Sequence, residues 1–446
     1  MTALSNQLRL ALEDPADKFS REQVLNSVDE FVVGCVSSEA PEVQLFRVEE
    51  ELQVVYNDAV DHTSLGHTEV FLGVLHHLRP LLSSTSIIST WFDLVLRPAL
   101  REPRLSTTSV THAKELIIFA AENEDRRYPE KVHEFRRRLM DHLLDAYNEG
   151  SGDDILEWAK LDQKQRDKRH LWKNNLEDVL VKFGLKCPVV CVCEQLTVEL
   201  FNALQAFMTQ VEAAFATPAS RLQLLILLDC FISDPEFQSH AADFARHPLT
   251  NSLLNSLLLD NSSTMCTIGL TMLVKLLPIF AVKACEELKI FLPRLFVIFA
   301  RIICWQENSS SVLASTALVD DGGAGKQAEE YGRLTGLELR HELGWERLEL
   351  RLTTSSASPS DAYFSSLYYL FPCNLLRFVR GPAAYLQDRD YESPYVVSWE
   401  DALDEDNIRS KSEVCASTLY LCPLHLPSAR DWHLSTHFSP FFAAVW

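Results

Sequence analysis

Glycine is scarce in this chain, at 14 of 446 residues, beside 19 prolines. Hairpin-rich β folds draw on glycine for their tight turns. The composition argues against them, and the runs of Leu, Ala and Glu argue for helices. Basic residues are in deficit, with 41 Lys and Arg against 62 Asp and Glu and a formal net charge of −21. So acidic a chain is unsuited to nonspecific contact with phosphate backbones, and no nucleic-acid partner is expected. An anionic bilayer would have to be met by a local basic patch. Long apolar runs are missing too. CTIGLTMLV from Cys266 runs into Lys275, Pro278 and Lys283, and IFLPRLFVIFARIICW carries Arg294 and Arg301. A membrane helix needs about 20 apolar residues, so no span is expected. The opening, MTALSNQLRL, has no apolar signal core, and the 11 cysteines are scattered. The expectation is a cytoplasmic protein with reduced thiols, mostly small core residues.

What the chain has in abundance is helical period. Apolar residues recur every three to four positions in VEEELQVVYNDAV (48–60), EVFLGVLHHLRPLL (69–82) and THAKELIIFAAENE (111–124). Ser233-Asp234-Pro235-Glu236 supplies a cap, a first-turn proline and a first-turn acid. His247-Pro248 opens another helix, and Ser262-Ser263 precedes MCTIGLTMLVKLL, which Pro278 is expected to end. Residues 126 to 183 are charged on most faces, with Trp158 and Trp172 as anchors, and predict solvated helices held at few points.

From Pro218 the character changes. RLQLLILLDCFI (221–232) is apolar nearly all round, which predicts cover on several sides. Over 221–305 Arg221, Arg246, Lys275, Lys283, Lys289, Arg294 and Arg301 balance Asp229, Asp234, Glu236, Asp243, Asp260, Glu286 and Glu287. This neutral block is the expected folding core. The chain as a whole predicts an all-α, HEAT-like α-solenoid of stacked antiparallel helix pairs. The helical array spans 1–306, a flexible loop 307–335, C-terminal helices 336–386, and an acidic, irregular tail 387–446. The C-terminal helices begin with LELRHELGWERLEL.

Motifs that carry chemistry are weak. GGAGKQ (322–327) has Asp320 and Gln327 where a phosphate loop needs Gly and Ser or Thr. His341-Glu342 begins like a zinc-protease helix, but Trp345 stands at the second histidine position. Cys187, Cys191 and Cys193 have no second cluster at ligand spacing and predict buried thiols. In the tail, Cys422, His425, His433 and His437 have the spacings best suited to zinc, set in a segment of little order. The expectation is no metal, no cofactor and no enzyme.

Two blocks carry a resemblance. One is RLQLLILLDCFISDPEFQSH…PLTNSLLNSLLLD…TIGLTMLVKLLPIF…LPRLFVIFARIICW, the other WERLELRL…FSSLYYLFPCNLLRFVRGPAAYL. Together they resemble the N-terminal domain of the hamartin family over residues 218 to about 385. The charged stretch ahead of them resembles fungal members. The resemblance implies a noncatalytic scaffold with a helical N-terminal domain, a disordered middle and a C-terminal coiled coil. That coiled coil stabilises tuberin, which activates GTP hydrolysis on Rheb and so restrains the target-of-rapamycin kinase. The helical domain is associated with phosphoinositides at the lysosomal or vacuolar surface. This chain has no heptads after about 412, so a tuberin-like partner would be held mainly by a coiled coil it does not carry.

FPCNLLRFVR (371–380) is the segment of most interest. Pro372 suits a helix's first turn, so one helix should end near Leu370 and another begin at 372. Leu375, Leu376, Phe378 and Val379 are expected to anchor the second helix in the core. Arg377 and Arg380, three apart, should share a face, with Arg389 nearby. Arg380 matches a family arginine connected with lipid, and the three are the candidate phosphoinositide-binding residues. The alternative reading is that they pair with local acids such as Asp388, Asp390 and Glu392. Arg301 also matches a family position, and its apolar neighbours suit a structural ion pair. Two other readings stay open: an unrelated HEAT-like adaptor holding a peptide in its groove, and an enzyme with an unrecognised helical site.

Overall fold

Ser64, Ser83, Ser106 and Ser262 each stand just ahead of an apolar run. In each case the hydroxyl accepts from the amide three residues on, His67, Ser86, Ser109 or Met265, at 3.1–3.4 Å. A helix's first amides have no partner within the helix, and these hydroxyls supply one. Asp162 does the same for the Gln165 amide at 2.7 Å, and the Gln165 side chain reaches back to the Asp162 amide at 3.3 Å, closing a capping box.

The computed structural model describes residues 2–15, 17–36, 41–123, 127–148, 162–186, 203–316, 337–348 and 360–421. They form an all-α fold in two units, Met1–His240 and Ala241–Trp446. The first contains α1 (Thr2–Glu13), α2 (Lys18–Val36), α3 (Pro41–Ala59), α4 (Leu65–His77) and a helical run over 84–99, α5, with a π-helical centre at Ile87–Leu96. It continues with α6 (Thr107–Glu122), α7 (Pro129–Asn148), α8 (Gln163–Leu185), α9 (Ala203–Phe215) and α10 (Arg221–Ser233). The division falls inside α11 (Phe237–Arg246). The second unit holds α12 (Pro248–Leu259), α13 (Ser263–Lys283), α14 (Cys285–Thr316), α15 (Ser360–Leu370), α16 (Pro372–Arg380), α17 (Pro382–Gln387), α18 (Trp399–Ala402) and α19 (Glu405–Leu421).

Neighbours in sequence are neighbours in space. In the first unit α4 packs on α2 and α6, and α8 touches α6, α7, α9 and α10. Its core is aromatic: Trp91 meets Phe71 and Tyr56 at 5.4 and 5.6 Å, and Phe207 stacks on Phe231 at 4.9 Å. In the second unit α13 and α14 pack together, and α15, α16 and α19 lean on α14 or on one another. Gly269 lets α13 approach α12, because a Cβ there would stand 2.3 Å from Leu257 Cδ2.

Helix ends are closed by buried polar side chains from elsewhere in the chain. Arg136, Arg221 and Arg301 are each 1% exposed. Arg136 donates to the Ala121 carbonyl at 2.7 Å, at the end of α6. Arg221 donates to the Phe215 and Ala216 carbonyls at 3.0 and 3.2 Å, at the end of α9. Arg301 donates to those of Leu257 and Asp260 at 2.6 and 2.5 Å, at the end of α12. Asn175 answers Leu100 and His240 answers Leu185 in the same way. Burying a guanidinium is costly unless its donors are used, and a helix's C-terminal carbonyls offer both acceptors and partial negative charge.

Several expectations are corrected. Pro278 lies inside α13. It gives up one backbone hydrogen bond, but Leu276, Leu277 and Phe280 are buried on either side and hold the helix to Lys283. By length and composition α13 could cross a membrane, and half of its apolar window is buried within the protein. The α8 helix is anchored by Trp172 as expected, with Arg101 4.5 Å over its ring. Its second half also buries Leu176, Val179, Leu180, Phe183 and Leu185, so it is less solvated than its charge suggested. Asp234 forms a turn, accepting from the Glu236 amide at 2.9 Å, and α11 begins only at Phe237. The last turns of α14 enter the expected loop.

Residues 337–348 are not helical. They hold a 3-10 turn, His341–Leu343, and Gly344 at φ +58°, a conformation that ends a helix. Of the expected tail, 388–398 is irregular but buries Tyr395, and α18 and α19 follow, with Trp399, Leu403 and Ile408 buried. Trp158, the three cysteines of CPVVCVC, GGAGKQ and the Cys422–His437 grouping lie outside the described residues.

Candidate functional site

Phe371 ends α15, its amide donating to the Leu367 carbonyl at 2.8 Å, and Pro372 starts α16 as read from the sequence. Gly381-Pro382 repeats the device for α17. Phe378 and Tyr385 close on Phe296 of α14, with centroids 5.4 and 5.5 Å away, and the Tyr363 hydroxyl donates to the Leu295 carbonyl at 3.0 Å. Leu375 and Phe378 are buried, and Val379 is half-buried. Leu376, expected in the core, is 50% exposed, because it lies on the same outward face as Cys373 and Arg377.

Arg377 and Arg380 both face solvent. Arg377 pairs with Asp388 at 3.5 Å, the two side chains 63% and 67% exposed, so the pair is weak and screened by salt. Arg389 is held more firmly. It donates to Asn374 Oδ1 at 3.1 Å and lies 5.6 Å over the Tyr385 ring, and the Tyr385 hydroxyl donates to the same Asn374 oxygen at 3.4 Å. Of the acids expected to compete, Glu392 is taken by Arg340 at 3.0 Å. Arg409, which the sequence reading missed, donates to the Arg380 backbone carbonyl at 3.2 Å and brings α19 beside α16. It comes from the region expected to be irregular.

The charge around these arginines is not net positive. Asp388, Asp390, Glu392, Glu400, Asp401, Asp404, Glu405 and Asp406 outnumber Arg377, Arg380, Arg389, Arg409 and Lys411 over 371–411. Diffuse attraction to an anionic surface is therefore not on offer. Exposed guanidiniums of this kind present forked donors suited to phosphate oxygens.

A second polar centre lies at the end of α12. Arg301 is no simple ion pair; besides the Leu257 and Asp260 carbonyls it donates to Asn261 Oδ1 at 3.0 Å and approaches Cys266 Sγ at 3.8 Å. Burial pushes the Cys266 thiol up to about 11, so it stays protonated. The Asp260 carboxylate, fully buried, accepts from the Trp345 indole at 3.0 Å and the Leu348 amide at 2.9 Å. Trp345, which spoiled the zinc-protease pattern, is thus an anchor, and His341 is an exposed turn residue.

In the first unit His76 stacks on His112 at 4.2 Å and bonds Glu115 at 2.5 Å, while His77 bonds Asp29 at 2.7 Å. Stacked rings do not aim their nitrogens at one point, and no metal-binding group of three His, Cys, Asp or Glu side chains is found among the described residues.

No protein-family model matches the chain. No curated protein matches it either. Solved structures do. One, described as "TSC1 N-terminal domain", is 19% identical with a TM-score of 0.56, over 93% of this chain and 88% of that one. Another, "Structure of TSC1 NTD and linker domain", is 21% identical with a TM-score of 0.57, over 93% and 80%. TSC1 is hamartin. The likeness in fold extends well beyond residues 218–385, where the sequence resemblance is carried.

Proposed function

We propose that this chain is a noncatalytic scaffold of the hamartin type, a fungal-type member acting in a hamartin–tuberin-like complex. In that role it supports GTPase activation on Rheb by a tuberin-like subunit and restrains target-of-rapamycin signalling. Its site of action is the cytoplasmic face of the lysosomal or vacuolar membrane, where Arg377 and Arg380, with Arg389 behind them, take a phosphoinositide headgroup. The observation that carries the reading is the likeness in fold over 93% of the chain to the TSC1 N-terminal domain. A headgroup with several phosphates is favoured over a merely anionic surface, because the local acids cancel diffuse attraction. Cosedimentation with phosphatidylcholine vesicles, with and without a few per cent of a polyphosphorylated phosphoinositide, tests this. Binding should need the phosphoinositide and fall in the Arg377→Ala/Arg380→Ala double variant; equal binding by the two proteins removes the lipid role. Copurification with a tuberin-like subunit tests the scaffold role.

A second reading, an adaptor that holds a peptide segment, draws support from the seat that residues 337–348 occupy beside Asp260.

A further inference from the structure

Residues 337–348 are held much as one protein holds a peptide from another. At one end the Arg340 amide donates to the Pro394 carbonyl and the Val396 amide to the Glu338 carbonyl, both at 3.0 Å, around an antiparallel bridge of Leu339 with Tyr395. Arg340 adds hydrogen bonds to the Tyr395 carbonyl at 3.2 Å and to Glu392 at 3.0 Å. At the other end the Asn261 amide donates to the Leu348 carbonyl at 2.8 Å, while Asp260 Oδ1 takes both the Leu348 amide and the Trp345 indole. Arg347 donates to the Leu337 carbonyl at 3.0 Å and ties the segment's two ends together. This is a single antiparallel backbone bridge at one end and a buried carboxylate reading an N–H pair at the other.

The seat is also held by contacts that do not involve its occupant. The Asp260 amide donates to the Ser256 carbonyl at 3.0 Å, and the Asp260 carbonyl is held by Arg301. The Tyr395 hydroxyl donates to the Leu258 carbonyl at 3.4 Å, and the Trp399 indole to the Tyr391 carbonyl at 2.7 Å. Within 337–348 Leu348 is buried and Leu337, Leu339 and Trp345 are half-buried, while Glu338, His341, Glu342, Leu343, Gly344 and Glu346 are exposed. A segment held by hydrogen bonds over a preorganised seat can leave without unfolding what it leaves behind.

We propose that the Asp260–Tyr395 seat is a docking site for a peptide of the form Arg-x4-Trp-x2-Leu from a partner protein, and that residues 337–348 cover it in cis. The arginine meets Glu392 and the Tyr395 carbonyl, the indole meets Asp260, and the leucine backbone pairs with Asn261. The tethered copy competes at high effective concentration, so the partner docks where the cis copy is weakened or where its own peptide is presented at high local concentration. The inference is independent of the scaffold reading.

The test is fluorescence anisotropy with a labelled peptide of residues 337–348, LELRHELGWERL, titrated with the full chain. The chain carrying Trp345→Ala, whose own segment has lost its indole, should bind the peptide with saturation and roughly tenfold more tightly than the wild-type chain, the worth of one good hydrogen bond. Adding Asp260→Ala to that chain should weaken binding roughly tenfold again. A peptide with Trp345→Phe should lose as much against the unchanged Trp345→Ala chain, which separates loss of recognition from loss of fold. Absence of saturation with the Trp345→Ala chain, or equal binding of the two peptides, overturns the proposal.

Discussion

The Arg301 guanidinium donates to the Asp260 backbone carbonyl at 2.5 Å, while the Asp260 carboxylate looks the other way, to Trp345. One residue thus joins a helix end to a distant segment. Replacing Arg301 with Met keeps the volume and removes the donors. The Leu257 and Asp260 carbonyls lose them inside the protein, and the expected loss is roughly 3 kcal/mol in urea unfolding. Arg301→Lys should recover little, because an ammonium group cannot fork between carbonyls as the guanidinium does.

Gly269 should tolerate no side chain. A Cβ would stand 2.3 Å from Leu257 Cδ2, and Leu257 is fully buried. Gly269→Ala is expected to cost about 1–3 kcal/mol through overpacking. Combining it with Leu257→Ala should cost less than the sum of the two single changes, a coupling that a double-mutant cycle in urea measures directly.

Acid should loosen the first unit in two stages. Burial, and then the neighbouring His76, hold His112 below its ordinary 6.5. The unfolded chain therefore takes the proton first as pH falls. Stability is full above 6.5, declines below it, and levels off once the folded His112 is also protonated. His76, Glu115 and His77 act on it, and Arg79 reaches Glu115 at 3.6 Å. His142 is moved the same way by burial and by Arg97 and Arg138. Burial works against Asp178, but the hydrogen bond from Lys114 holds it low, so its contribution is lost only at more acid pH, below its ordinary 3.8. The urea midpoint should fall from about pH 7 to about pH 5.5, and His112→Gln should flatten that fall without abolishing it.

Adjacent leucines in α16 should differ sharply. Leu375 is 1% exposed and Leu376 50%. Leu375→Ala is expected to cost about 2–5 kcal/mol. Leu376→Ser should stay within about 0.5 kcal/mol of the parent by the same urea measurement.

Local signals were the readable ones. Pro372 and Pro248 marked helix starts, Ser262 a cap, and the three-to-four-residue period the all-α class. Arg377 and Arg380 could be placed on one helix because only that start and a count of residues were needed. What failed was tertiary. LELRHELGWERLEL read as helix, but Gly344 at positive φ and the pull of Asp260 from 88 residues away hold that segment open. Acids crowding residues 387–406 hid the anchors Tyr395 and Trp399, so the approach of Arg409 to Arg380 could not be foreseen. The exposure of Leu376 follows from which side of α16 meets α14, a fact of packing that periodicity does not supply in so short a helix.

The buried side chains that close helix ends are made at different delays after the carbonyls they serve. The carbonyls that end α9 meet Arg221 within 6 residues, and that of Ala121 meets Arg136 after 15. That of Leu257 waits 44 residues for Arg301, and that of Leu185 waits 55 for His240. Until each partner leaves the ribosomal exit tunnel, the carbonyl it serves is without that donor, so the short-range corners can close sooner.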